Sequence, residues 1–420
     1  MTDPLLVRID VTSTLRSGWR AGTQRVVSRV VRELMADDRL RVEPVVLVEP
    51  LRLHRHLTPA ELEQLVSEVV DHAVAGPPPE RSPSRQRVAG TIDAVGLRPA
   101  ARRVRRRIEA NKVGQAERSL LVRDWPAGSV VLELDAVWNV DHFDRSRWYR
   151  MLAEHGVVLV GWVNDLFPLT RPEWFTPDLA RVFTRHADHL LGAASRTLAI
   201  SQFTADEVDR RRPDAPATVV VPLGAELPAV VASAEPPLTP VPDGPFLLVV
   251  GTVEPRKNLG LALDVFDRLS ATRPDLSLVV VGRAGWSADD VVSRLERHPL
   301  AGSRLLWLQG VGDATLEALY RSATVALVPS WAEGYGLPLV EAMARRTPVV
   351  ASTGGALPEV AAGFVPVVDP DDVDGWTGAV DALLDPPARA AAVDRLRGFV
   401  PPTWSECADV VADALLSTRS

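Results

Sequence analysis

Short runs of Val, Leu and Ile recur along the chain, and many are apolar on successive rather than alternate residues. Residues 44–48, 129–134, 157–163, 197–200 and 218–221 are such runs in the first half. Residues 246–250, 276–281, 304–308, 324–328 and 348–351 follow in the second. A strand with one wet face alternates, whereas a strand covered on both faces does not. Helix-like stretches separate the runs. Strand-then-helix repetition predicts an α/β protein with parallel sheets. The stretch 405–416 reads as a last helix, after Pro401 and Pro402.

The rhythm breaks twice. Residues 226–245 hold Pro228, Pro236, Pro237, Pro240, Pro242 and Pro245 and read as a linker. This predicts an N-terminal α/β domain over 1–225, a second over 246–400, and a C-terminal helix within 401–420 that packs back on the first domain. Residues 76–118 form the other break, a basic, Pro- and Arg-rich insertion. It begins near Pro77, Pro78 and Pro79 and holds Arg102, Arg103, Arg105, Arg106 and Arg107. Such a charge run reads either as a solvated basic helix or as a patch for anionic lipid headgroups or a polyanionic acceptor.

Composition narrows the function classes. At 420 residues and 46% hydrophobic, the chain is long and apolar enough for two cores. Cys407 is the one cysteine, so no intrachain disulfide or cysteine-rich metal site can form. A net charge of −7 speaks against bulk electrostatic binding of nucleic acid. The first ten residues lack the basic start and apolar core of a signal peptide, and no apolar run reaches the length of a membrane span. A cytoplasmic protein is expected, peripheral to the inner face of the membrane at most. With no HExxH, CxxC or Asp-rich run, no metal is expected.

Two segments carry candidate chemistry. Residues 329–344 follow the run 324–328 and so occupy a strand-to-helix crossing at the carboxyl edge of a parallel sheet, where ligands of open α/β folds bind. Gly334 and Gly336 allow close backbone approach, and Pro338 suits the first helical position. Free N–H groups at the helix start can face an anion such as a diphosphate. Glu333 and Glu341 border the same place, and a carboxylate accepts hydrogen bonds from vicinal hydroxyls. On their own, Glu341 reads equally as a helix-dipole partner and Glu333 as a solvated loop residue. Residues 251–259 follow the run 246–250 and reach the same edge. There Arg256 offers a planar fork of donors and Lys257 a compact charge. Two cations at a helix start oppose its dipole unless an anion rests between them.

These segments resemble the retaining GT-B glycosyltransferases of family 4, the glycosyl transferases group 1. The family's E-x7-E pattern is met by Glu333 and Glu341, and its G-x-x-x-x-R-K-N pattern by Gly251 through Arg256, Lys257 and Asn258. Gly310, Val311, Gly312 and Asp313 match the family between these segments, as do 354–360 downstream. The resemblance implies a GT-B architecture, with two Rossmann-like parallel-sheet domains facing across a cleft. It implies that Arg256 and Lys257 bind the donor diphosphate and Glu341 the ribose hydroxyls. Glu333 would contact the donor sugar, beside the Tyr335, Gly336 and Leu337 backbone. Main-chain groups at Gly310 and Val311 would pack on the nucleobase.

The N-terminal half resembles a mannosyltransferase-like subgroup. Gly22, before Thr23, Gln24, Arg25 and Val26, would let its loop approach the donor phosphates; as a bare residue it is equally an ordinary loop glycine. Asp165, in 163–168, would orient an acceptor hydroxyl or contact the sugar; it also suits a loop cap. The subgroup often has an aromatic residue or His where this chain has Asn164, so no His-based role is expected there. Asp135 and Trp138 end a strand and are candidates for the acceptor pocket. Ser201 is expected to cap a helix.

The activity implied is transfer of a sugar from a nucleotide sugar to a glycan, lipid-linked or small-molecule acceptor, with no cofactor. GDP-mannose is favoured over UDP-sugars. A non-catalytic nucleotide-sugar-binding subunit is the alternative. A glycosidase built on Glu333 and Glu341 stands behind it, because cleaving a glycoside needs no diphosphate clamp.

Overall fold

A computed structural model of the chain describes residues 3–17, 22–67, 114–139, 143–226 and 241–419, without the side chains of Ala116 and Asn139. The arginines 102–107, most of the basic insertion and the centre of the expected linker lie outside these residues. The structure is α/β and contains two sheets. The first comprises β1 (Leu5–Asp10), β2 (Leu40–Val48), β3 (Leu53–His56), β4 (Val130–Glu133), β5 (Val158–Val163), β6 (Arg196–Ala199) and β7 (Val219–Val220). Its spatial order is β3-β2-β1-β4-β5-β6-β7. The second comprises β8 (Phe246–Val250), β9 (Ser277–Val281), β10 (Leu305–Leu308), β11 (Val325–Val328), β12 (Val349–Ser352) and β13 (Val367–Val368), in the order β10-β9-β8-β11-β12-β13. The residues group into two compact units, one built on 3–67 and 114–160, the other on 161–417.

Each apolar run seen in the sequence becomes a strand, with ends shifted by a few residues. β3 escaped the pattern because Leu53, His54, Arg55 and His56 bury only His54; it is an antiparallel edge strand on β2. Every registered pair in the second sheet is parallel. Its strands are apolar on both faces because each face carries a core. Leu247, Val249, Leu278, Val280 and Leu327 meet the helices Leu259–Ser270 and Val373–Leu384 through Phe266, Leu263 and Trp376. Phe246, Leu248, Val279, Val281 and Val328 meet the helices Asp313–Ser322 and Leu337–Ala344 through Leu319, Leu339 and Met343. Full burial of each such side chain is worth about 1.5–3 kcal/mol, so the second sheet is a stiff platform for its loops.

Strand order places the site. In the second sheet the chain runs outward from β8 through β9 to β10, then returns to β11 on the other side of β8. The loops after β8 and β11 therefore diverge and leave a crevice at their carboxyl ends, the topological switch point of a doubly wound sheet. Residues 251–258 and 329–336 are those two loops.

The last helix, Trp404–Leu416, begins with a capping box between Thr403 and Glu406. It is tied to residues 224–226: Ala225 N donates to Pro402 O at 3.0 Å and Trp404 N to Glu226 Oε2 at 2.9 Å. A side chain at Gly224 would collide with the Trp404 ring. Among the described residues no helix is long and apolar enough to cross a membrane.

Candidate active site

The loop after β8 turns at Gly251 (φ 147°), runs extended through Glu254, and makes one 3-10 turn at Pro255–Lys257. Asn258, left-handed at φ 48°, then starts the helix Leu259–Ser270. Arg256 and Lys257 thus precede the helix rather than open it.

Their charges meet Glu333. Arg256 Nη1 donates to Glu333 Oε2 at 2.7 Å and Lys257 Nζ to Oε1 at 2.6 Å. Ser330 Oγ adds a bond to Oε1 at 2.6 Å. Arg256 Nη1 also donates to Ala332 O, and Nη2 to Glu254 Oε1, both at 2.8 Å. Trp331 N donates to Arg256 O at 2.8 Å, so the two loops are also joined through their backbones. Burial raises the Glu333 carboxyl, but Arg256 and Lys257 outweigh it and hold the pKa at about 2. Burial lowers Arg256, but Glu333 and Glu254 outweigh it and keep the guanidinium firmly charged. For Glu254 burial wins, and its pKa lies above the ordinary carboxylate range despite Arg256. Glu333 is therefore an ionised acceptor inside a small charge cluster, not a solvated loop residue.

Glu341 has different surroundings. It lies in the helix Leu337–Ala344, past its first turn, with Pro338 second rather than first in that helix. Its carboxylate is buried and accepts from Tyr320 Oη at 2.9 Å. Gly336 caps the helix at φ 96°, a left-handed conformation that favours glycine. Tyr335 is buried and donates its hydroxyl to Leu223 O at 3.1 Å. Gly310 and Val311 sit in the loop after β10, the strand two places from β8.

The 163–168 segment approaches the loop after β11. A Cβ on Gly334 would fall well inside van der Waals distance of Asn164 O and close to Asp165 Cβ, so glycine is required by the backbone of 164. Asn164 Oδ1 accepts from Trp162 Nε1 at 3.0 Å. Asp165 caps the turn Phe167–Thr170 by accepting from Phe167 N at 3.1 Å, as a loop-capping residue would. Burial also pushes its pKa up against the attraction of Arg256 and Lys257. Ser201 caps the helix Gln202–Asp209 as expected, accepting from Thr204 N at 3.1 Å.

In the other unit, Gly22 (φ 53°) precedes the helix Thr23–Met35. Asp135 is buried and already bonded: it accepts from Thr14 N, Thr14 Oγ1 and Ala136 N at 2.7–2.9 Å. Burial raises its pKa to about 6. Trp138 is half-buried beside it in the chain, in the 3-10 turn Val137–Asn139.

Several participants carry no sequence signal of their own. Glu254 and Ser330 look like ordinary loop residues until Arg256 and Glu333 are placed beside them. Glu359 accepts from Gln202 N and Phe203 N at 2.8 and 3.0 Å, which joins the helix Leu357–Ala361 to the start of the helix Gln202–Asp209. Around Asp10, Arg145 Nη2 and His54 Nε2 lie at 2.8 and 3.2 Å from Oδ2. In the same unit, Tyr149 donates to Glu133 at 2.5–2.6 Å. These residues are scattered over the sequence, and only burial marks them.

Residues 234–395 match the family model described as Glycosyl transferases group 1, which spans the second sheet and its site. Over 203 residues, 45% of this chain, the sequence is 34% identical to the serotype-specific mannosyltransferase WbdA of Escherichia coli; the match covers 25% of that relative. Over 261 residues it is 31% identical to the O-antigen chain mannosyltransferase B of Escherichia coli, covering 58% of this chain and 66% of that one. Among solved structures, sucrose-phosphate synthase from Thermosynechococcus elongatus superposes with a TM-score of 0.59 over 99% of both chains, at 18% identity. The fold is the two-sheet Rossmann-like fold of GT-B glycosyltransferases, and residues 234–395 are similar to the group 1 glycosyltransferase domain.

Proposed function

We propose that this protein transfers a sugar from a nucleoside diphosphate sugar to an acceptor hydroxyl, with retention of anomeric configuration. The observation that carries this reading is the grip of Arg256 and Lys257 on Glu333 at the switch point of the second sheet. Cations held there suit a diphosphate, and an ionised carboxylate beside them suits the hydroxyls of the attached sugar. In this reading Arg256 and Lys257 stabilise the diphosphate as its charge grows on departure. Glu333 orients the sugar, Glu341 the ribose, and the 335–337 backbone lies alongside. Gly310 and Val311 meet the base. The bond from the anomeric carbon to the phosphate oxygen breaks as the acceptor oxygen bonds to the same face. That phosphate oxygen takes the acceptor proton. Asp165 orients the acceptor. The role of Gly22 stands on the family resemblance, and those of Asp135 and Trp138 on their place at the end of a strand.

The counter-charge comes from side chains, so transfer is expected to survive chelation of divalent metal. The mannosyltransferase relatives support mannose as the sugar, and GDP-mannose is proposed before UDP-sugars as donor. Hydrolysis of simple glycosides is disfavoured, because it needs no diphosphate clamp.

The test is a melting-temperature panel of GDP, UDP, GDP-mannose and UDP-sugars, followed by transfer assays with and without EDTA. A ligand bound only by the folded state raises the melting temperature. A rise with a nucleoside diphosphate, and transfer lost in Glu333→Gln, is expected. A protein indifferent to every nucleotide overturns the reading.

A further inference from the structure

Arg256 is held by two carboxylates, and the two have different neighbours. Glu333 binds Nη1 and also meets Lys257 and Ser330. Glu254 binds Nη2, and its side chain is 4% exposed. Pro255 follows Glu254 directly, and the 3-10 turn Pro255–Lys257 places the guanidinium back over the residue two positions earlier. Behind Glu254, a side chain at 285 would collide with Val253 O and Thr252 Cγ2 and crowd Glu254 Cβ, so the Gly285 backbone lies close behind this stretch. Glu254 is thus packed from the rear and aimed at one edge of the guanidinium.

The second carboxylate is unfavourable for anion binding as such. A buried negative charge 2.8 Å from Arg256 weakens the field that a diphosphate would feel. It does supply aim. If Glu333 turns to the sugar, the bond to Nη1 is shared or lost, and the guanidinium needs another fixed partner to keep its plane. A carboxylate anchored on the same loop supplies one.

We propose that Glu254 is a positioning residue: it clamps the outer edge of Arg256 so that the guanidinium stays aimed at the departing diphosphate, at some cost in affinity for that anion. This rests on the glycosyltransferase reading and adds a role for a side chain that the reading leaves unused.

The experiment compares wild type, Glu254→Gln and Glu254→Ala, each as the full chain. It measures melting temperature, inorganic pyrophosphate affinity by calorimetry, and kcat and KM with the active nucleotide sugar. Gln keeps an acceptor for Nη2 but removes the charge. Glu254→Gln should bind pyrophosphate about 3- to 10-fold more tightly, because a repelling charge is gone. Its kcat should fall about 10-fold, because a neutral acceptor holds the guanidinium less firmly in line than a charge-assisted bond does. Glu254→Ala should lose more kcat than Gln, with Nη2 unpaired. A purely structural residue predicts a different pattern: melting temperature, affinity and kcat falling together. That pattern, or a kcat unchanged in both variants, overturns the proposal. If wild type binds pyrophosphate and transfers sugar while the variants fail the test, only the role of Glu254 is lost. If wild type does neither, the underlying glycosyltransferase reading fails with it.

Discussion

Lys257 Nζ lies 2.6 Å from Glu333 Oε1, although 76 positions separate the two residues in the chain. The contact joins the loop after β8 to the loop after β11, and Arg256 closes the same contact from the other carboxylate oxygen. All three side chains are nearly buried, at 8% exposure for Glu333, 14% for Arg256 and 17% for Lys257. Buried pairs of this kind stabilise little in net terms, since desolvation offsets the attraction. Removing one partner is costly, because the other charge is left behind.

That asymmetry makes the cations informative. Arg256→Ala should weaken nucleoside diphosphate affinity by about 10- to 100-fold, the scale of lost charge-assisted bonds, while nucleoside affinity changes little. Calorimetry with UDP or GDP against the matching nucleoside reads both. Equal losses for the two ligands would contradict a diphosphate clamp.

Gly334 tests the close approach of the 164 backbone. Gly334→Ala should cost about 1–3 kcal/mol, as overpacking does, because the group struck is a carbonyl and not a flexible side chain. Gly192, in the helix Pro177–Ala193, has open space around it and no left-handed backbone. Gly192→Ala should stabilise by about 0.4–1 kcal/mol through the lower entropy of the unfolded chain. Urea melts of the two variants should move in opposite directions; parallel shifts would remove the steric argument.

Tyr320 tests the environment of Glu341. Tyr320→Phe removes a buried donor from the carboxylate and should cost about 1–3 kcal/mol. If Glu341 reads the ribose, the KM for the nucleotide sugar should rise while pyrophosphate affinity stays constant. A loss of stability without any change in KM would make Tyr320 a packing residue only.

Glu133 sets a pH dependence in the other unit. Burial is the largest influence and raises its pKa from 4.5 to about 7, against the attraction of Arg145 and the hydrogen bond from Tyr149. A carboxyl raised on folding favours the folded state most below its unfolded pKa. That contribution declines as pH rises from about 4.5 through about 7. Glu133→Gln resembles the protonated form and should flatten this part of the stability curve, so that the variant gains on wild type above neutrality. Chemical melts at pH 5 and pH 8 check the sign; a constant difference at the two values would show that Glu133 does not titrate there.

The sequence by itself determined the α/β layers and which two loops reach the same edge of the second sheet. Strands covered on both faces must be apolar on successive residues, so β8, β9 and β11 stand out from neighbours that are not. Loops that follow such strands lie at the carboxyl edge, which puts 251–258 and 329–336 at one sheet edge. These are local properties of the chain. β3 was hidden for the converse reason: an edge strand with one buried side chain has little periodicity to read. Only the tertiary structure decided what the charges do there. Glu254 and Ser330 enter the site because β8 and β11 are neighbours in the sheet. Glu341 instead meets Tyr320 in the packing between two helices. Asp135 accepts from Thr14 N and Oγ1, a pairing across 121 positions that the sequence does not show. A carboxylate's partner is fixed by distance and desolvation, and both depend on residues far away in the chain.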